Sequence, residues 1–265
     1  MPHEQSMLFS GQNPMTETTL ILPAMWKLAY ASTAVLIAGF IRGYSGFGFS
    51  ITTVVSLSMV FKPVEVVPVV LFLEIGASSM LLPQVWKKVD WRSLGWLCIG
   101  MAVGTPLGVA VLVNVPVQPM RAAIAVIVII LVILLLSGFS LKKKPGTPAT
   151  LATGLASGTL NGAATIGGPP VILFFFSSQA GVDISRASVI AYFFITDILA
   201  STICLMRGLV LQQTLVLTGV LLIPLIIGIQ AGNRSFFRTN PETFKKRVMM
   251  LLMMLSLISL VRSFF

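Results

Sequence analysis

Long apolar blocks alternate along this chain with short loops rich in charge, proline and glycine. A helix needs roughly 20 predominantly apolar residues to cross the hydrocarbon of a bilayer, and six blocks meet or approach that length. Leu94–Val113 has no charge, and Pro119–Phe139 has one, Arg121, at its edge. Val66–Val85 and Ala187–Met206 each hold one acid near the middle, and Thr214–Gly232 and Val248–Val261 complete the set. Four shorter segments come in pairs, Trp26–Ile41 with Gly46–Phe61 and Ala149–Asn161 with Pro169–Ala180. At about 1.5 Å of rise per residue helices of these lengths reach about 18–24 Å, short of a core of about 30 Å. Each pair is therefore expected to be a re-entrant hairpin, or a double crossing that leaves both ends on the same sides.

Composition narrows the class. The chain is 56% hydrophobic and 10% charged, against roughly 25% charged in soluble domains, so lipid is its solvent. Its net charge of +10 would in a soluble protein suggest nucleic acid. Here much of the positive charge falls into loop clusters instead: Lys87, Lys88 and Arg92; Lys142–Lys144; and Arg234, Arg238, Lys245, Lys246 and Arg247. Such clusters mark cytoplasmic loops, and no polar domain exists to read a groove, so no nucleic-acid partner is expected. Placing the clusters inside makes Val66–Val85 run inward and Ala187–Met206 outward. The expected location is the inner membrane, multi-pass, with both termini outside the cytoplasm. Residues 1–25 carry Glu4 and Glu17 but no Lys or Arg, lack the basic n-region of a secretory signal, and read as an uncleaved tail.

The opposite orientation of the halves is matched by an internal repeat. Gly39-Phe40-Ile41-Arg42-Gly43 is echoed by Gly154-Leu155-Ala156-Ser157-Gly158, and Glu74-Ile75-Gly76-Ala77-Ser78 by Asp197-Ile198-Leu199-Ala200-Ser201; Gly104 and Gly108 then correspond to Gly228 and Gly232. The expected fold is an all-α polytopic membrane protein of two inverted repeats, each a short broken-helix pair plus three transmembrane helices. The tail (1–25) precedes a first repeat at 26–140, a basic cytoplasmic linker at 141–148 and a second repeat at 149–265.

The candidate chemistry lies in the two glycine-rich segments, Gly39 to Ser50 and Gly158 to Pro170. Glycine releases the backbone from helical geometry, and Pro169 and Pro170 suit the first turn of a restarting helix. Non-helical backbone at membrane depth survives only where protein or a polar cavity satisfies it. A restarting helix aims unpaired N–H groups and its positive dipole end at the break, which favours an anion, and inverted-repeat transporters oppose two such breaks near the midplane. The candidate substrate-binding residues are Arg42, Gly43, Tyr44, Ser45, Gly46, Gly48, Ser50, Asn161, Gly162, Thr165, Gly167 and Gly168. Two alternatives stand beside this reading: the glycines serve close helix packing, and Arg42 forms a fold-fixing ion pair with Glu74.

Glu74 and Asp197 sit mid-span, where acids are costly enough to mark function. They are candidates for coupling a proton to anion movement, or neutral hydrogen-bonding groups. The aromatic clusters Tyr44, Phe47, Phe49 and Phe174–Phe176 fit core or lipid contact, and would also suit an aromatic sulfonate. Arg207 reads as an interfacial snorkelling residue. Cys98 and Cys204 lie inside apolar spans as small core residues, and His3 is the sole histidine. No Ser/His or metal-ligand constellation is present, which argues against a membrane enzyme and implies no cofactor; a passive anion channel remains as the alternative to a carrier.

At Gly39 to Gly48, at Gly158 to Pro170 with its Asn and Gly-Gly-Pro, and in its two-half layout, the sequence resembles the sulfite exporter TauE/SafE family, also called the toluenesulfonate uptake permease family. The resemblance spans Trp26 to Val261. It implies membrane transport of sulfite, sulfonates or related organosulfur and carboxylate anions, in a direction it does not define. Family members often carry a denser glycine run at the first break, where this chain has Gly46-Phe47-Gly48-Phe49. Phenylalanine there is expected to narrow the cavity or favour a substrate with an apolar part over inorganic sulfite.

Overall fold

A computed structural model of the protein describes residues 25–45, 48–137, 146–176, 182–236 and 250. Among them the regular structure is helical: α1 (Met25–Ser45), α2 (Phe49–Ser58), α3 (Pro63–Val85), α4 (Trp91–Asn114), α5 (Val117–Leu136), α6 (Thr147–Ala164), α7 (Gly168–Phe176), α8 (Val182–Met206) and α9 (Gln212–Phe236), with a 3₁₀ turn at Trp86–Lys88. Among the described residues four stretches are long and apolar enough to cross a membrane: Pro63–Lys88, Trp91–Asn114, Asp183–Met206 and Gln212–Gly232. The chain is a multi-pass membrane protein. Its outward faces agree, since Ile99, Val103 and Leu107 on α4 and Ile223 and Ile227 on α9 stay exposed, a belt that water would not tolerate on a monomer. The expected span Val248–Val261, Met250 excepted, and the basic cluster Lys142–Lys144 lie outside the described residues, as does most of the third cluster.

The short pairs need one correction. Their first arms are long, 21 residues in α1 and 18 in α6, while only α2 and α7 are short, at 10 and 9 residues. At about 1.5 Å per residue α1 extends about 31 Å and α2 about 15 Å. The arms outlast the expected ends at Ile41 and Asn161 because the glycines there do not break the helix. They let another helix in.

A Cβ at Gly100, Gly104 or Gly108 of α4 would collide with the carbonyls of Leu151, Leu155 and Thr159 of α6, and one at Gly228 or Gly232 of α9 with those of Leu36 and Phe40 of α1. Facing glycines thus bring two pairs of backbones into contact, as small residues do in membrane helices. In both pairs a step along one helix matches a step in the same direction along the other, so α4 and α6 run parallel, as do α1 and α9. The contacts also define an equivalence. Gly104 meets Leu155 and Thr159, whereas Gly228 meets Leu36 and Phe40; Gly43 meets Ile229, whereas Gly162 meets Thr105. Gly39 and Gly43 therefore answer to Gly158 and Gly162, one turn later than the echo with Gly154 and Gly158. Arg42 then answers to Asn161, and the end of α1 coincides with that of α6, as the start of α2 does with that of α7.

Each long and short arm forms a hairpin. Tyr30 Oη on α1 donates to the Ser56 carbonyl at 3.0 Å, and Lys27 Nζ stands 5.9 Å from the Phe61 ring centre, so the ends of the α1–α2 hairpin lie together where α3 begins. The α6–α7 hairpin lies at the other end of α3. There Ser185 Oγ on α8 donates to the Phe175 carbonyl at 2.8 Å, and Lys88, just past α3, pairs with Asp183 of α8 at 2.7 Å.

Candidate functional site

Both hairpin tips reach a carboxylate in the interior. At the first, Arg42 is 1% exposed and is among the largest fully buried side chains. It forms an ion pair with Glu74 Oε2, and its Nη2 donates to Ser78 Oγ at 2.9 Å. Ser50, in the first turn of α2, donates its Oγ to Glu74 Oε1. Glu74 is near the middle of α3, so the break between α1 and α2 lies at mid-depth of that helix. A lone charge in hydrocarbon is costly, and pairing is the usual solution. Arg42 Nε has no hydrogen-bond partner.

At the second tip Asn161 Nδ2 donates to Asp197 Oδ1 at 2.8 Å. No basic side chain pairs with Asp197 in the described structure, and its Oδ2 has no partner. α6 ends at Thr165, whose φ of 57° and ψ of 25° are left-handed; its N–H returns to the Asn161 carbonyl at 2.8 Å and that of Ile166 to Leu160 at 3.2 Å. A β-branched residue there is a genuine outlier, and such strain persists only where the surroundings over-determine it. Gly167 is one of those surroundings, since a Cβ on it would lie 2.6 Å from the Ser157 carbonyl and 2.8 Å from Asn161 Cβ, and Ser157 Oγ donates to the Gly167 carbonyl.

The structure brings Arg42, Ser50 and Glu74 together at one tip, and Asn161, Thr165, Gly167 and Asp197 at the other. Gly48 takes a left-handed φ of 91° just before α2, and Gly168 opens α7 against Phe193. Gly43 and Gly162 face neighbouring backbones, as the packing alternative has it, and Tyr44, next to Gly43 in the chain, is buried at 3% exposure. Gly46 lies outside the described residues, and of Ser45 only the backbone, ending α1, is described. Phe174 and Phe175 are core, packed edge to face at 5.2 Å. Cys204 is buried and Cys98 half-buried, both free.

Sequence reasoning missed Ser78 as the second partner of Arg42. The signal was there, since Ser78 and Ser201 close the echoed segments, each one turn beyond its acid on the same helix face. It also missed a cavity of about 270 Å³ away from both tips, lined by Lys27, Phe61, Glu65, Gln213 and Thr214 among others.

Compared with known families, the chain matches the sulfite exporter TauE/SafE family over residues 31–260. It belongs to that family. The match takes in both carboxylates, the α6–α7 hairpin and all but the first residues of the α1–α2 hairpin, and the family is one of membrane transporters. No curated protein and no solved structure matches the chain. The TauE/SafE assignment agrees with the resemblance carried by the two breaks, and the geometry adds what lies between them: a buried ion pair and a buried amide–acid pair at the tips of opposed hairpins.

Proposed function

We propose that this TauE/SafE protein is a secondary transporter that moves a small sulfur-containing anion, of sulfonate or sulfite type, across the inner membrane through two inverted halves. The observation that carries the reading is the pair of broken hairpins, which come from opposite ends of α3 and converge on Glu74 and Asp197. Parallel packing of α1 with α9 and of α4 with α6 supports the inverted arrangement, in which both termini lie outside the cytoplasm and the turn at Lys87 and Lys88 lies within it. Helix restarts at Gly48–Ser50 and Gly167–Gly168 offer backbone N–H groups to the anion, with Tyr44, Asn161 and Thr165 as neutral donors beside them. Gly43 and Gly162 admit the facing backbones of α9 and α4 beside the tips. Arg42 engages Glu74 and Ser78 through its two terminal nitrogens, so it contributes field and the Nε N–H, and the helix ends do most of the holding.

Coupling to a cation fits Asp197 better than Glu74. Glu74 already has a guanidinium; Asp197 has only an amide, so charging it inside the membrane requires a cation, the proton being the one that the sequence suggests. A carrier of this kind exchanges, whereas a passive channel does not. Proteoliposomes preloaded with unlabelled toluenesulfonate should accumulate labelled toluenesulfonate by counterflow, and sulfite should compete. Absence of counterflow with intact, folded protein would refute the carrier cycle.

A further inference from the structure

The two tips are built on one plan, and one of them lacks a part. The helix seams make Arg42 the counterpart of Asn161, and the echoed segments make Glu74 and Ser78 the counterparts of Asp197 and Ser201. At the first tip a guanidinium stands between the carboxylate and the serine hydroxyl. At the second the side chain is an amide, which donates through Nδ2 to Asp197 Oδ1. The oxygens left over are Asp197 Oδ2 and Ser201 Oγ, on residues 1% and 5% exposed, and neither has a hydrogen-bond partner. These are counterparts of the groups that bind the guanidinium at the first tip.

A third oxygen belongs with them. Thr105 of α4, whose carbonyl abuts Gly162 of α6 beside Asn161, is fully buried and its Oγ1 has no partner. One turn earlier on α4, Met101 accepts a hydrogen bond from Thr196, the neighbour of Asp197, so Thr105 lies on the part of α4 that faces this cluster. Hydroxyls in these helices usually donate to the carbonyl four residues back, as Thr33, Ser79, Thr153, Thr159, Thr202 and Ser235 do. Ser201 and Thr105 forgo that bond. A buried oxygen without a partner is costly and calls for an explanation, such as an ion.

We propose that Asp197 Oδ2, Ser201 Oγ and Thr105 Oγ1 form a sodium site, in which a bare alkali cation stands where the Arg42 guanidinium stands in the other half. The inference rests on Asp197 as the coupling group and names its ion. The ligand chemistry is that of a hard monovalent cation: one carboxylate and neutral hydroxyls, all oxygen. Calcium and magnesium favour more carboxylate or retained water, and among the described residues no group of three His, Cys, Asp or Glu side chains gathers anywhere. A proton on Oδ2 would give Asp197 one hydrogen bond and leave the other hydroxyl oxygen as it is; sodium engages all three oxygens together. With the ion bound, the acid, the amide and the cation are neutral as a unit, and the adjacent break can receive an anion. By linkage, each ligand then raises the affinity for the other.

The test uses the full chain in detergent and in proteoliposomes. Thermal unfolding is followed in sodium, potassium or choline chloride at equal ionic strength, and labelled toluenesulfonate uptake under a sodium gradient or a pH gradient. The titratable groups facing Asp197 are Glu74, Arg42 and Tyr192, so the pH is held constant in the sodium series. Sodium should raise the unfolding temperature of the wild type and choline should not. Ser201→Ala, a mild change, should weaken the sodium effect by about tenfold in concentration, the scale of one lost bond to a charge. Asp197→Asn should abolish it, and Asn161→Arg, which supplies a guanidinium, should remove the need for sodium. Equal unfolding temperatures in sodium and choline, or a sodium response untouched by both Ser201→Ala and Asp197→Asn, would overturn the site. If a pH gradient alone drives uptake and sodium changes nothing, the sodium site falls while the cation-coupled carrier stands. If sodium stabilises the protein through Asp197 but no sulfur anion exchanges, the site stands and the substrate reading falls.

Discussion

Arg42 and Asn161 occupy corresponding places on α1 and α6, each in a glycine-lined seam and each reaching an acid on the neighbouring long helix. Arg42 brings a full charge to Glu74 and still reaches Ser78; Asn161 brings one amide hydrogen to Asp197 and leaves Ser201 aside. The same backbone plan thus yields two electrostatic outcomes. A buried carboxylate that owns a guanidinium is part of the scaffold, because removing either partner strands a charge. A buried carboxylate that owns only an amide can gain and lose a cation without dismantling the fold. Near-symmetry gives the frame, and one departure from it makes the halves chemically distinct.

The largest effect should come from breaking the self-sufficient tip. Arg42→Gln leaves Glu74 unpaired and is expected to cost about 3–5 kcal/mol, the range for a buried pair stripped of one partner. Pairing it with Glu74→Gln should recover most of that loss in thermal or denaturant unfolding. Affinity for toluenesulfonate in the recovered double variant then sharpens the comparison. Near-wild-type affinity removes Arg42 from anion binding and leaves the helix restarts; a loss of tenfold or more returns Arg42 to the site.

Next come the seams on which the equivalence of Arg42 and Asn161 rests. Gly43→Ala and Gly162→Ala should each destabilise by about 1–3 kcal/mol, as overpacking does, and by similar amounts, because each Cβ would strike a facing backbone carbonyl. Gly219→Ala on α9, where a Cβ meets nothing within 4 Å, is the control and should be neutral or slightly stabilising. A harmless Gly162→Ala beside a harmful Gly43→Ala would break the register.

At the second tip Asp197→Asn should alter stability by only about 0.5–1.5 kcal/mol, the scale of one hydrogen bond, while abolishing gradient-driven accumulation and sparing counterflow exchange. If Asp197→Asn accumulates substrate as the wild type does, the acid is structural and the contrast between the tips disappears. The smallest change is expected at the strained break. Thr165→Gly should be within about 1 kcal/mol of the wild type, since relief of a left-handed threonine is opposed by the greater freedom of glycine in the unfolded chain. Toluenesulfonate affinity should fall more than stability does, because a looser Thr165 no longer holds the α7 restart.

How much of this was legible in the chain divides by range. Hydropathy adds up locally, so the long spans, the broken pairs and the two mid-span acids could be read from runs of residues, as could the two halves from Glu74-to-Ser78 and Asp197-to-Ser201. The glycines were legible as special but not in purpose. Whether Gly43 opens a break or admits another backbone depends on Ile229, far along the chain and in contact only after α9 has folded against α1. The repeat was one turn out of register at its first echo for the same reason, since glycine matches every turn on these helices and only the facing carbonyls choose among them. Sequence by itself determined a multi-pass membrane protein with echoed segments, an arginine and an asparagine in its glycine-rich stretches and two acids in the middle of long spans. The sequence could name Glu74 as a partner for Arg42 but left that ion pair beside an anion-binding role. Tertiary structure decided that the pair forms and that Ser78 joins it, because that outcome depends on side-chain reach across a packed seam, and neither composition nor spacing encodes reach.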